Sequence, residues 1–157
     1  MVRTVIEVML VALLPISEIR GAIPFAIYCG FDPISAYIIS LIGNLIPIPM
    51  LLLSLEYIIH VIEGTKLGGV YKLIIKKVEN KKNYVEKYGY LGLLLFVAIP
   101  LPVTGAWTGS LIASLLKLNK AKSLIAIALG VSVAGIIVLI TSYGAIAILS
   151  CYFKFGS

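Results

Sequence analysis

Apolar residues dominate the chain, in runs that alternate between short and long. Residues 4–14 are apolar apart from Thr4 and Glu7 and stop at Pro15, and a second short run covers residues 18–30. At about 1.5 Å per residue neither run crosses a hydrocarbon core of about 30 Å. Two half-length helices joined at a proline-bearing turn predict a re-entrant hairpin over 4–30, dipping to mid-membrane and returning to its own side. The competing reading is one kinked helix over 4–30, because membrane helices tolerate proline. Charges just after Pro15 favour the hairpin, since ionisable groups at depth face protein or a wet cavity. Asp32-Pro33 then has the form of a helix start, an N-cap followed by proline in the first turn. It opens a spanning helix over 33–62, which Pro47 and Pro49 kink or interrupt; Asn44 supplies a polar group near that break.

The order repeats in the second half. Short arms over Tyr88–Pro100 and Thr104–Leu116 predict a hairpin over 88–117, and Asn119-Lys120 opens a long helix over 120–151. Gly130, Gly135 and Gly144 let that helix approach a neighbour closely. It is long for one crossing, which predicts tilt, a kink, or a break near Ser142-Tyr143-Gly144. Shifting the sequence by 87 positions aligns Leu14 with Leu101, Pro15 with Pro102, Ser17 with Thr104, Asp32 with Asn119 and Gly43 with Gly130 without a gap. The pattern reads as an internal repeat. Repeat 1 covers 1–63, a connector 64–87, and repeat 2 covers 88–157.

Composition agrees: 61% of residues are hydrophobic and 13% charged, against about half and a quarter in soluble domains. The expected fold is an all-α integral membrane protein, an inverted repeat of hairpin plus transmembrane helix. The net charge of +6 is concentrated in the connector, where seven lysines lie between Lys66 and Lys87. By the positive-inside rule the connector is cytoplasmic in a multi-pass plasma-membrane protein, and nucleic acid is not the expected partner. Hairpins that return to their entry side, or paired crossings over 88–100 and 104–117, leave Lys117, Lys120 and Lys122 inside with the connector, whereas a single crossing over 88–117 would put them outside. Val70, Leu73, Ile74 and Val78 at helical spacing predict an amphipathic helix on an anionic leaflet, or a docking site for another protein. Arg3 precedes an apolar run, but Glu7 interrupts it and no small-residue cleavage site follows, so no signal peptide is expected.

The candidate chemistry sits at the two turns. The second arm of each hairpin would begin near the midplane, with unpaired amides and a partial positive charge. Ser17 would cap the arm starting near Glu18, and Thr104 the arm starting near Gly105. With Arg20, Gly21, the Gly105 amides and Trp107 close by, the location suits an anionic group such as a phosphate, a carboxylate or a lipid head group. Arg20 grips a phosphate through two parallel hydrogen bonds. Glu18 is the natural proton carrier, since desolvation favours its neutral form while Arg20 favours the carboxylate. The plainer alternative is a Glu18–Arg20 salt bridge that holds the turn. Trp107 reads equally as a gate or as an interfacial belt residue. Glu56, His60 and Glu63 share a helix face, as a proton relay or as a solvated helix end, and Arg3 and Glu7 form an i,i+4 pair. Cys29 and Cys151 read as buried thiols, with no metal-ligand spacing around them or His60. No catalytic triad, carboxylate pair or nucleotide loop is present, so neither an enzyme nor a cofactor is expected.

Ile16-Ser-Glu-Ile-Arg-Gly-Ala-Ile-Pro24, followed by Val97-Ala-Ile-Pro-Leu-Pro-Val-Thr-Gly-Ala-Trp-Thr-Gly109, resembles the small multidrug export protein family over essentially the whole chain. That family is similar to a compact branch of the DedA/VTT superfamily. The resemblance implies inverted repeats of a re-entrant hairpin and a spanning helix. It also implies membrane transport: lipid scrambling, polyprenyl-phosphate flipping or proton-coupled export. Bacterial DedA proteins carry acids in the first half, to which Glu18 and Asp32 answer as proton-coupling candidates, and arginines in the second hairpin. Here the second hairpin has none, and Arg20 stands in for them. The expectation is a small transporter or lipid translocase, working on membrane lipids such as phospholipid or polyprenyl phosphate, with protons, as a homodimer. The alternatives are proton-driven efflux of small amphiphiles and a non-transporting scaffold that recruits partners through the connector.

Overall fold

The computed structural model describes the backbone of residues 2–63, 88–100 and 104–155, and the side chains of 2–55, 88–100 and 104–144. Among the described residues every regular element is a helix. In chain order these are α1 (Val2–Leu13), α2 (Glu18–Tyr28), α3 (Pro33–Leu45), α4 (Pro47–Glu63), α5 (Tyr88–Ala98), α6 (Ala106–Leu115) and α7 (Lys120–Phe155). The connector with its expected amphipathic helix lies outside the described residues, as do the side chains of Glu56, His60, Glu63 and Cys151. Cys29 is a free, partly buried thiol.

Each chain reversal has a local cause. Pro15 has no N–H to continue α1, and the last turn tightens through Leu14 N–H donating to Val11 O at 3.3 Å. Three residues later the chain restarts as α2, with Glu18 in the left-handed region at φ +48°. A non-glycine residue there costs roughly 1–2 kcal/mol, so something else must hold it. At the far end of α2, Gly30 adopts φ +87°. Phe31 N–H donates to Ala26 O at 3.1 Å and Gly30 N–H to Ile27 O at 3.0 Å, satisfying the last carbonyls of the helix. Asp32 then caps α3, accepting from Ser35 N–H at 3.0 Å, with Pro33 in the first turn. The expected interruption of the first long helix is one residue, Ile46. Pro47 and Pro49 fall in the first turn of α4, where an N–H has no intrahelical acceptor to lose.

The second half repeats these bonds at a constant offset. Beyond α6, Leu118 N–H donates to Ala113 O at 2.9 Å and Lys117 N–H to Ser114 O at 3.1 Å. Asn119 caps α7 by accepting from Lys122 N–H at 3.2 Å. Positions 26, 30, 31, 32 and 35 thus correspond to 113, 117, 118, 119 and 122, each 87 residues on. One correspondence is unequal: Lys117 occupies the left-handed region at φ +51° where the first half has a glycine. Lys117→Gly is therefore expected to raise stability by up to about 1 kcal/mol, read as a rise of a few degrees in the thermal midpoint in detergent. A fall would show that the lysine stem contributes more than its backbone costs.

Of the tilt, kink or break expected for the last helix, the break does not occur. The helix runs through Ser142-Tyr143-Gly144 without a break, for 36 residues. In lipid the backbone has no water to turn to, so a lone glycine does not end a helix as it would in solution.

Packing relies on close backbone approach at two equivalent positions. A side chain on Gly43 of α3 would meet Met9 Cα and Ala12 Cβ of α1, each at 2.9 Å. One on Gly130 of α7 would meet Leu94 O and Val97 Cβ of α5, each at 2.8 Å. Each long helix therefore receives the first short helix of its own half. The halves join where α6 lies against α4 and where α7 lies against α2 and α3, with Tyr37 Oη donating to Ser132 O at 3.1 Å. One apolar core combines Ile19, Ile23, Ile48, Leu93, Ile112 and Ile127. A smaller one, of Val8, Ala12, Ala22, Ala26 and Ala36, lies among α1, α2 and α3.

Candidate functional site

The site forms where the turn before α2 meets the turn before α6. No side chain of its own caps α6, which starts after Gly105. Its first amides point out with the positive end of the helix and need an acceptor. Glu18 supplies one. Its Oε1 accepts from Trp107 N–H at 3.2 Å, and the Ala106 amide is turned to the same carboxylate. Glu18 is 6% exposed. A carboxylate anchored on helix amides is what holds this residue in its left-handed backbone conformation.

Gly105 makes the approach possible. A Cβ there would overlap a Glu18 carboxylate oxygen and lie 2.6 Å from Cδ. Its backbone is extended, with φ 170°, so space rather than torsion requires the glycine. Arg20 reaches the same junction, its Nη2 donating to Thr104 Oγ1 at 3.2 Å. The Thr104 hydroxyl in turn donates to Ile99 O at 2.8 Å, bracing the end of α5 against the start of α6. Residues 101–103 of that turn lie outside the described residues. Glu18 and Arg20 also feel one another's charge. Each reaches across to the second half, so the pair does more than hold its own turn.

Several expected roles change. Ser17 makes no capping bond. It already has helical torsions, and its carbonyl accepts from Gly21 N–H at 2.9 Å, so its hydroxyl lies over Gly21, where a Cβ would overlap it. Thr104 does not cap α6 either, since the cap position is Gly105, one residue on. Trp107 joins the site through its main chain, while its indole N–H is buried without a hydrogen-bond partner among the described residues. Asp32 is not brought to the cluster. It is exposed at the far end of α2, roughly 16 Å along that helix. Hydrogen bonds from the Ser35 hydroxyl and amide hold its carboxyl below the usual range. The contact that residue types alone missed is Glu18 against Gly105. The offset contains its signal, because position 105 is the 87-residue counterpart of position 18: a long acidic side chain stands where its counterpart has none.

An arginine and a carboxylate at such a junction have the chemistry to hold an anionic group and to exchange a proton. Among the described residues, no group of three or more His, Cys, Asp or Glu stands together to hold a metal. The surroundings are inverted relative to a soluble protein. Ile6, Leu10, Ile38, Ile42, Leu53, Leu95, Leu129 and Ile140 are exposed, while Glu18, Ser40, Asn44, Thr104, Ser110 and Ser123 are buried. Two stretches, Pro33–Leu55 and Lys120–Gly144, are helical and apolar over 23 and 25 residues, enough to cross a bilayer. These features define an all-helical membrane protein with a charged junction in its interior.

Residues 18–137 match the family described as Putative small multi-drug export protein, and the chain belongs to that family. The matched stretch begins at Glu18 and takes in Arg20, Thr104 and Gly105. Comparison with curated proteins and with solved structures gave no match. The family's description is that of an export protein, which supports a membrane transporter at a coarse level.

Proposed function

We propose that this transporter moves molecules bearing an anionic group, and that this group takes over the α6 amides from Glu18. The observation that carries the reading is the Glu18 carboxylate itself, an anion already seated on Trp107 N–H with Arg20 on the adjacent Thr104. Protonating Glu18 releases the amides to the incoming group, so proton uptake and anion binding go together. Arg20 stays to pair with a phosphate or carboxylate. A lipid translocase acting on phospholipid or polyprenyl phosphate fits this chemistry. Efflux of small amphiphiles is the second reading, favoured by the family's description.

The same proposal includes the architecture. The pairs α1–α2 and α5–α6, each helix too short to cross, are re-entrant hairpins, and the halves are two-fold related and inverted. Support comes from the constant offset of the caps and reversals, and from position 18 touching position 105, its own counterpart. The kinship with the DedA/VTT superfamily, a plasma-membrane location with the connector cytoplasmic, and a homodimer covering the hairpins belong to this reading.

The test is flux in proteoliposomes of a fluorescent phospholipid, a polyprenyl phosphate and a fluorescent amphiphilic dye, wild type beside Arg20→Ala, with and without a pH gradient. Lipid flux that requires Arg20 is the expected result. Dye flux alone, driven by the gradient, moves efflux to the front. No flux of any probe overturns the transport reading.

A further inference from the structure

Away from the Glu18 junction, the outer faces of α5 and α7 enclose an apolar groove of about 310 Å³, lined by Tyr90, Leu91, Leu94, Lys122, Ile125 and Leu129. That volume is at the small end of the range for ligand sites, roughly 300–1,000 Å³. Its walls are hydrocarbon except at one end. There the Lys122 ammonium lies 5.9 Å from the centroid of the Tyr90 ring. Tyr90 is itself fixed, because its hydroxyl accepts from Asn119 N–H at 3.1 Å and ties the start of α5 to the cap of α7. Lys120 stands in the same first turn, and the positive end of the α7 dipole adds to both lysines. From Lys122 to Leu129 the trough runs seven residues along α7, roughly 10 Å.

A cation at one end of a hydrocarbon trough beside a membrane helix matches one kind of molecule. We propose that the groove binds an anionic phospholipid, one acyl chain along Leu94, Ile125 and Leu129 and its phosphate against Lys122. The chain replaces the loose lipid that a flat helix face would meet, and the phosphate neutralises a positive helix end. A second copy docked here by two-fold symmetry would bring two lysine-bearing helix ends together, which repel. The site is separate from the proposed transport path, and its occupancy is measured without flux.

The experiment uses the full chain in phosphatidylcholine nanodiscs doped with phosphatidylglycerol carrying a diazirine in one acyl chain, compared with the same probe on phosphatidylcholine. Labelled residues are mapped by peptide mass spectrometry. The expected result is labelling at Leu91, Leu94, Ile125 or Leu129 that is about fivefold higher for the anionic probe. Lys122→Gln should remove that preference, and Leu129→Trp, which fills the trough, should reduce labelling by both probes. Equal labelling by the two probes, or labelling spread evenly onto the exposed Ile38, Ile42 and Leu53 face, would mean only an ordinary lipid annulus and overturn the proposal. A groove protected from both probes, with cross-links between copies, would overturn it in favour of a protein interface.

Discussion

Glu18→Ala is expected to abolish transport and to lower the thermal midpoint of the detergent-solubilised protein by several degrees, whereas Glu18→Gln keeps the fold and loses the pH response. The argument starts from the amides of Ala106 and Trp107, which have the Glu18 carboxylate as acceptor in a buried place. A buried donor left without an acceptor costs about 1–3 kcal/mol. Glutamine still offers an amide oxygen to Trp107 N–H, so the junction survives, but it cannot exchange a proton. Glu18→Gly isolates the backbone contribution. It loses the same bonds as Glu18→Ala while relieving the left-handed torsion, and should be the more stable of the two by about 1 kcal/mol. Thermal unfolding of the four proteins in one detergent, beside flux at two pH values, decides. An alanine variant as stable as wild type would sink the capping argument, and a glutamine variant with unchanged pH response would sink the proton-carrying one.

Gly105→Ala should be nearly as damaging as Glu18→Ala, although it adds one methyl group and suits the extended backbone. The new Cβ and the Glu18 carboxylate cannot occupy the same space. Either the carboxylate leaves the α6 amides or the two turns separate, and overpacking of this kind costs typically about 1–3 kcal/mol. The diagnostic is the double variant. With Glu18 already shortened to Ala, the methyl group meets no carboxylate, so Gly105→Ala should then cost much less. A coupling of about 1–2 kcal/mol in that cycle is expected. Additive effects would show that the two residues do not meet as described.

The sequence carried the local devices well. Asp32-Pro33 and Asn119-Lys120 announced helix starts because a cap is written in two adjacent residues, and both act as caps. Pro15 and Pro47 announced breaks for a similar reason, since each lacks a donor whatever surrounds it. The 87-residue offset, weak as identity, recurs in the bonds that end α2 and α6 and in the caps that follow them. Ser17 and Thr104 were misread because a hydroxyl next to a helix start has two options, the helix amides or a nearby carbonyl, and only the path of the turn decides. Thr104 took Ile99 O. Glu18 was legible as a charge set among apolar residues, but not as the cap of another helix. That pairing spans 89 residues, and no local pattern encodes which helix end a buried carboxylate will find.

The meeting of Glu18 with Gly105 bears on how such a chain arises. On the two-fold reading proposed above, a duplicated gene whose halves were still identical would have placed the same residue on both sides of the axis. Two glutamates there would crowd two carboxylates into room for one, and two glycines would leave both inner helix ends uncapped. Only after the copies diverged at this position could one helix end be stoppered by the other half. A dimer of first halves, expressed alone, inherits that frustration, whereas first and second halves expressed as separate chains should find one another.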